Sequence, residues 1–237
     1  IPYLNNVIKS SGNASLKPQA YLKLGTAYYN LNNNAEALKQ YNVLIAQYAS
    51  SPEAQDALDN VKVIYIEQGK PDEYAAFMRK AGKPISMDTE DSLTYSAAEN
   101  QLVHGNTAAA LASLNNYRQK FPDGVYANDA SFYLGEIYNG KKDWKNALIG
   151  YEDVAINAPN KYAERSILAA ARINFFELKD YPKAETYYLQ LNKEASNQEN
   201  KLEAMRGLLR CQYQQQKWTE AVENAKELTA AKGSSTD

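Results

Sequence analysis

The chain has 237 residues, and its 26 Lys and Arg nearly balance 28 Asp and Glu for a formal net charge of −2. That balance gives no electrostatic case for nucleic acid, which needs clustered cations to displace counterions. No apolar run approaches the roughly 20 residues that span a bilayer, and the single cysteine, Cys211, excludes an internal disulfide.

Only 11 Gly and 8 Pro against 19 Tyr favour helices over a turn-rich β fold. In chain order, residues 1–12 carry Leu4 and Val7 at the spacing of Tyr41 and Leu44. They read as the second helix of a truncated preceding repeat, or else as a capping helix. An uncapped repeat leaves an apolar edge, so Leu4 and Val7 are expected to face solvent or a second copy, which makes self-association possible there.

From residue 15 a two-helix pattern recurs six times. Ala37, Tyr74, Ala110, Ala147, Ala184 and Ala221 follow one another at spacings of 37, 36, 37, 37 and 37. Thirteen residues ahead of each stand Leu24, Val61, Ala97, Leu134, Ala171 and Leu208; four behind stand Tyr41, Met78, Leu114, Tyr151, Tyr188 and Ala225. Offsets of three and four put such residues on one helical face. The pattern predicts repeats at 15–49, 52–81, 91–121, 125–158, 162–194 and 200–231, an irregular linker at 82–90 and a flexible tail at 232–237.

Within each repeat the turn is polar and rich in helix breakers: Asn32-Asn33-Asn34, Gly69-Lys70-Pro71, His104-Gly105-Asn106, Gly140-Lys141-Lys142-Asp143, Lys179-Asp180 and Gln215-Gln216-Lys217. The small slots bring the two helices close, and Gly25, Ala98 and Gly135 do the same from the first helix. Lys62, Arg172 and Leu209 occupy that slot elsewhere, so those repeats must tilt or pack more loosely. The second repeat departs most, with Lys62, Tyr74 and Ala81 in small or apolar slots. The stretch from Ala81 to Asp91 is therefore either a bend between sub-arrays or an ordinary linker.

Leu24-Gly25 with Tyr28, Ala37, Tyr41 and Pro52 resembles the tetratricopeptide consensus. Leu134-Gly135 with Tyr138, Trp144, Ala147, Tyr151 and Pro159 resembles it more closely. The period exceeds the family's usual ~34 residues, and the extra length lies between repeats, as in Phe121-Pro122-Asp123-Gly124. This lengthened pattern is similar to bacterial envelope members such as outer-membrane assembly lipoproteins and Tol–Pal-associated periplasmic proteins. The Tyr- and Asn-rich composition is similar to Bacteroidetes members.

The resemblance implies an all-α, right-handed solenoid of about six helix-turn-helix repeats, whose first helices line a concave groove. It implies a protein or peptide partner, no cofactor, no metal, and a periplasmic or outer-membrane setting. The groove slots hold Tyr29, Ile66, Tyr95, Glu99, Leu102, Phe132, Glu136, Phe176, Arg206, Arg210 and Tyr213. That arrangement is an aromatic row with an acidic middle and a basic end, suited to an extended peptide or partner helix. Tyr is also a core filler of the family, so any single ring can instead be packed inside.

The family's Lys/Asn carboxylate clamp is not expected, because Leu22 and Thr26 stand at its first positions. Catalysis is not expected either. His104 is the sole histidine and reads as a solvated turn residue, Cys211 reads as a packed apolar one, and no phosphate-binding glycine loop occurs. Asp88, Glu90 and Asp91 read as charge at a helix N-terminus. The alternative function is glycan binding on the groove's aromatic rings, although long loop insertions that accompany such binding are missing across the six repeats.

Overall fold

The computed structural model describes residues 1–10 and 15–233, so the last four positions of the expected tail lie outside the described residues. Among them every regular element is helical: α1 (Pro2–Ser10), α2 (Leu16–Asn30), α3 (Asn34–Gln47), α4 (Pro52–Glu67), α5 (Pro71–Lys80), α6 (Met87–Val103) and α7 (Thr107–Lys120). Then follow α8 (Ala127–Gly140), α9 (Trp144–Ile156), α10 (Ala163–Arg172) with a π-helical extension at Ile173–Leu178, α11 (Tyr181–Glu194), α12 (Gln198–Gln214) and α13 (Trp218–Gly233). The chain divides into two compact units, Ile1–Ser113 and Leu114–Asp237. The division falls at 113/114, so residues 81–91 join neighbouring repeats inside the first unit.

Consecutive helices pair from α1 to α6 and from α8 to α13, and first helices also touch first helices of the next repeat: α2 with α4, α4 with α6, α10 with α12. That is the pairing of stacked helical hairpins, each burying its apolar side against the next. Ala37, Ala110, Ala147 and Ala184 are wholly buried, as is the tyrosine row Tyr41, Tyr151 and Tyr188. Tyr74 fills its alanine slot as a buried ring. Leu4 and Val7 are half-buried in a helix that packs on α2, less open than expected.

The turns repeat more strictly than the helices. Asn32, Gly69, Gly105, Lys142, Lys179 and Gln216 all adopt left-handed φ between 55° and 72°. In five repeats the next amide reaches back five residues: Asn33 to Tyr28, Lys70 to Tyr65, Asn106 to Gln101, Asp143 to Tyr138 and Lys217 to Gln212, at 2.8–2.9 Å. This closure satisfies carbonyls that a helix end otherwise leaves bare. Two of these residues, and Asp180 of the fifth repeat, also cap the following helix. The side chains of Asn33, Asp143 and Asp180 accept from Glu36 N, Asn146 N and Lys183 N.

The fifth repeat breaks this register. Its Asp180 amide donates to the Asn174 carbonyl, six residues back. Asn174 is buried, and its Nδ2 donates to the Ala170 carbonyl at 2.8 Å. A side chain that bonds the i−4 carbonyl competes with the backbone ladder, and the helix widens to a π-turn over Ile173–Leu178. Helix α6 also departs from expectation, starting at Met87 inside the stretch expected to be irregular. Ser86 Oγ accepts from Thr89 N at 3.2 Å and starts the helix early.

Candidate functional site

The first-helix slots of the first unit hold Tyr29, Ile66, Tyr95, Glu99 and Leu102. Tyr95 is 3% exposed and belongs to the core, which removes it from the expected groove. Tyr29, Ile66 and Leu102 are half-buried, and Glu99 is exposed. Tyr29 Oη donates to Glu67 Oε1 at 2.7 Å, an accepting carboxylate that pushes the phenol pKa up. Tyr29 and Ile66 pack against the core of this unit.

The second unit differs. Phe132, expected in the groove, is 2% exposed, and its ring stacks on Tyr162 at 4.2 Å between centroids. It is core, not surface. Phe176 is 44% exposed and Tyr213 is 61% exposed, so both are available. Between the end of α8, the start of α9 and α10 lies an open cleft of about 390 Å³. Asn139, Trp144, Arg165, Leu168, Ala169, Arg172, Ile173, Phe176 and Glu177 line it. The π-turn sets its far wall, because Ile173, Phe176 and Glu177 all lie in the π-helical segment Ile173–Leu178.

A charge network borders the cleft. Glu136 accepts from Tyr151 Oη at 2.5 Å and lies 3.5 Å from Arg165 Nη2. Arg165 also sits over the Phe132 ring at 4.7 Å. Burial, then the Glu136 bond, drives the Tyr151 phenol far above its ordinary range. On α12, Arg206 and Arg210 are not free cations. Both share Glu203 with Arg172, at 3.6, 3.9 and 3.1 Å. The expected basic end is thus three guanidinium groups around one carboxylate, which leaves two positive charges in excess.

Sequence reasoning missed Trp144, Arg165, Arg172 and Glu203 as site residues. Arg172 carried a usable signal, since a charged residue stood in a slot that is Gly or Ala in its best-matched counterparts. Arg165 and Glu203 carried none, because they lie off the repeating slots.

The chemistry-bearing residues are quiet. Cys211 is wholly buried, and burial followed by the field of Glu185 pushes its thiol up to about 12. A thiol so far from ionising is no nucleophile at neutral pH. His104 sits in its turn, with Nδ1 donating to the Asn100 carbonyl at 2.8 Å. No group of three or more His, Cys, Asp or Glu among the described residues is placed to hold a metal ion. Nor is any described helix long and apolar enough to cross a membrane.

Residues 19–51 match one tetratricopeptide-repeat family model and residues 95–162 match another. No curated protein matches the chain. Similar solved structures include the C-terminal part of a TPR repeat-containing protein from Cytophaga hutchinsonii. It shows 16% identity over 99% of this chain and 90% of that one, with a TM-score of 0.48. Another is PilF of Pseudomonas aeruginosa, 18% identical over 90% of each chain with a TM-score of 0.43. A tetratricopeptide repeat protein from Parabacteroides merdae shows 14% identity over 90% of this chain and 79% of that one, with a TM-score of 0.39. With its hairpins, its 36–37-residue period and the family matches at residues 19–51 and 95–162, the chain carries tetratricopeptide repeats.

Proposed function

We propose that the chain is a non-catalytic interaction module that holds an extended segment of a partner protein against the first-helix face of its second unit. Tetratricopeptide repeats are in general protein-interaction modules, and here the cleft beside α10 carries the reading. It combines an exposed aromatic edge at Phe176, a half-buried indole at Trp144 and two arginines, Arg165 and Arg172. Aromatic anchors beside guanidinium groups are the residue types that dominate binding energy at protein interfaces. The expected envelope setting is part of the proposal. It rests on the lengthened repeat pattern, and fractionation of the source cells with an antibody to the chain tests it.

Selection from a random peptide library tests the interaction directly. Peptides enriched on the chain should lose at least about tenfold in affinity, or about 1.4 kcal/mol, when Ala169→Trp fills the cleft. The Tm of that variant confirms its folding. Enriched peptides that bind the filled variant as well as the parent would refute this site. Enrichment of nothing, together with stabilisation by one sugar class in a thermal-shift screen, would favour the glycan reading.

A further inference from the structure

The turn of the fifth repeat stands apart from its five counterparts. In every repeat thirteen residues separate the Leu24-type slot from the Ala37-type slot, so the fifth holds no inserted residue. Five turns close with an amide that reaches five residues back, to the carbonyl of Tyr28, Tyr65, Gln101, Tyr138 or Gln212. The matching carbonyl in the fifth is that of Phe175. The Asp180 amide passes it over and joins the Lys179 amide on the Asn174 carbonyl. The α register is thus open to this turn at its present length, yet the turn takes the π register.

One side chain marks the difference. Asn174 is wholly buried; its Nδ2 donates to the Ala170 carbonyl at 2.8 Å, while its Oδ1 has no hydrogen-bond partner. Asn100 holds the same slot in the third repeat, half-buried, and that turn closes in the ordinary way. Ala27, Ile64, Ile137 and Cys211 hold it elsewhere. Asn224 makes the same backward bond to the Glu220 carbonyl from a half-buried position inside an ordinary helix. Burial separates Asn174 from both. A buried amide oxygen without a donor costs free energy, and the π register carries that cost.

The same segment is the far wall of the cleft. Ile173, Phe176 and Glu177 line it, and the Phe176 ring is exposed. In the first four repeats the residue of the Phe176 slot, Tyr29, Ile66, Leu102 or Asn139, is half-buried. A π-turn closes on the fifth residue back, so it advances each residue through a smaller angle than an α-turn. A return to the α register therefore turns Phe176 about the helix axis, off the cleft and toward the half-buried placement of its counterparts.

We propose that the fifth repeat is a two-state register device coupled to the cleft. The π register presents Phe176 to the partner, the α register withdraws it, and Asn174 is the positioning residue that holds the π register. A segment bound against Phe176 favours the π state, because a ligand shifts an equilibrium by its differential affinity for the two states. The shift passes onward, since Asp180 at the end of the π segment accepts from the Lys183 amide and caps α11. This inference rests on the proposed interaction face and adds how that face is regulated.

Crystal structures of Asn174→Ala and Asn174→Ile, without peptide, test the register. Each substitution installs the residue of another repeat's slot, and either suffices if the other does not fold. The Asp180 amide should move to the Phe175 carbonyl, and Phe176 should leave the cleft. Binding is read by fluorescence anisotropy with the peptide most enriched in the library selection, carrying an N-terminal fluorescein. The variants should bind it at least about fivefold more weakly than the parent, as loss of an aromatic anchor implies. Their Tm should hold or rise, because the unpaired amide oxygen is gone. A residue with only a structural role would lose Tm and affinity together.

An Asp180 amide that stays on the residue-174 carbonyl in the folded variants overturns the inference and leaves the interaction face untouched. If the register reverts and the peptide binds as before, the coupling falls and the face stands. A selection that enriches nothing removes the face, and the inference with it.

Discussion

Gly150 on α9 lies against the backbone of Gly135 on α8. A Cβ on Gly150 would stand 2.6 Å from the Ser131 carbonyl oxygen and 2.7 Å from the Gly135 amide nitrogen. Two effects oppose each other at this position. Helix propensity favours Ala over Gly by about 1 kcal/mol, whereas overpacking a core contact costs about 1–3 kcal/mol. The clashing atoms are backbone, which cannot swing aside, so the clash wins. Gly150→Ala should destabilise the chain by about 1–2 kcal/mol, read as a lower denaturant midpoint. Gly140→Ala, at a helical site with nothing within 4 Å, should have the opposite sign, up to about 1 kcal/mol.

The six left-handed turn residues allow a cleaner test of backbone strain. Gly69 and Gly105 adopt positive φ without a Cβ, while Asn32, Lys142, Lys179 and Gln216 adopt it with one. The left-handed conformation costs an ordinary residue about 1–2 kcal/mol. Part of that is recovered in the unfolded state, where Gly has more freedom to lose. Lys142→Gly should therefore stabilise by about 0.5 kcal/mol and Gly69→Ala destabilise by about 1 kcal/mol. At Gly69 the nearest side-chain atom is Gln101 Nε2 at 3.6 Å, so the loss measures conformation and not crowding. Thermal unfolding of both variants checks the pair.

Acid should loosen the junction between the fifth and sixth repeats. Glu164 on α10 accepts from Ser196 Oγ at 2.6 Å, Asn200 Nδ2 at 2.7 Å and the Ser196 amide at 2.7 Å. The Ser196 hydroxyl first, and then Asn200, hold its carboxyl below the ordinary range. A carboxylate depressed in the folded state stabilises above its unfolded pKa, and that contribution is lost as pH falls through the folded value. Glu164→Gln should cost about 1–2 kcal/mol near neutrality. The gap in Tm between parent and variant should close as pH is taken from neutral to below the carboxylate range. A gap that stays constant would mean that the ionised form contributes nothing.

The repeat was legible because its signals are periodic. Small residues at Ala37, Ala110, Ala147, Ala184 and Ala221 recur wherever two helices must approach, and polar turns recur wherever the backbone must turn left-handed. Legibility ended where one residue departs from the period. Asn174 looks like an ordinary helical residue, yet its side chain competes for the Ala170 carbonyl and shifts the register of everything up to Asp180. Gly207 lies one position before the Leu208 slot, so its contact with Tyr188 has no counterpart in the pattern. Tyr95 and Phe132 were misplaced for a related reason: their slot turns outward in some repeats and inward in others, and neighbouring rings such as Tyr162 decide which.

The same substitution, made 37 residues apart, should have opposite effects. Tyr151→Phe removes a donor from Glu136, an acceptor left with Arg165 and water. A hydrogen bond to a charged group contributes about 1.5–3 kcal/mol, and the exposure of Glu136 puts this one at or below the low end, so a loss near 1 kcal/mol is expected. Tyr188→Phe instead removes a buried hydroxyl that bonds to nothing. The ring and its contact under Gly207 stay, and the desolvation cost of an unsatisfied O–H disappears, so stability should hold or rise by up to about 1 kcal/mol. Phenol titration adds a second readout, because burial pushes the Tyr188 hydroxyl up to about 12. Tyr188→Phe should delete a late-titrating phenol from the ultraviolet difference spectrum. Equal destabilisation by both substitutions would mean that Tyr188 already has an acceptor.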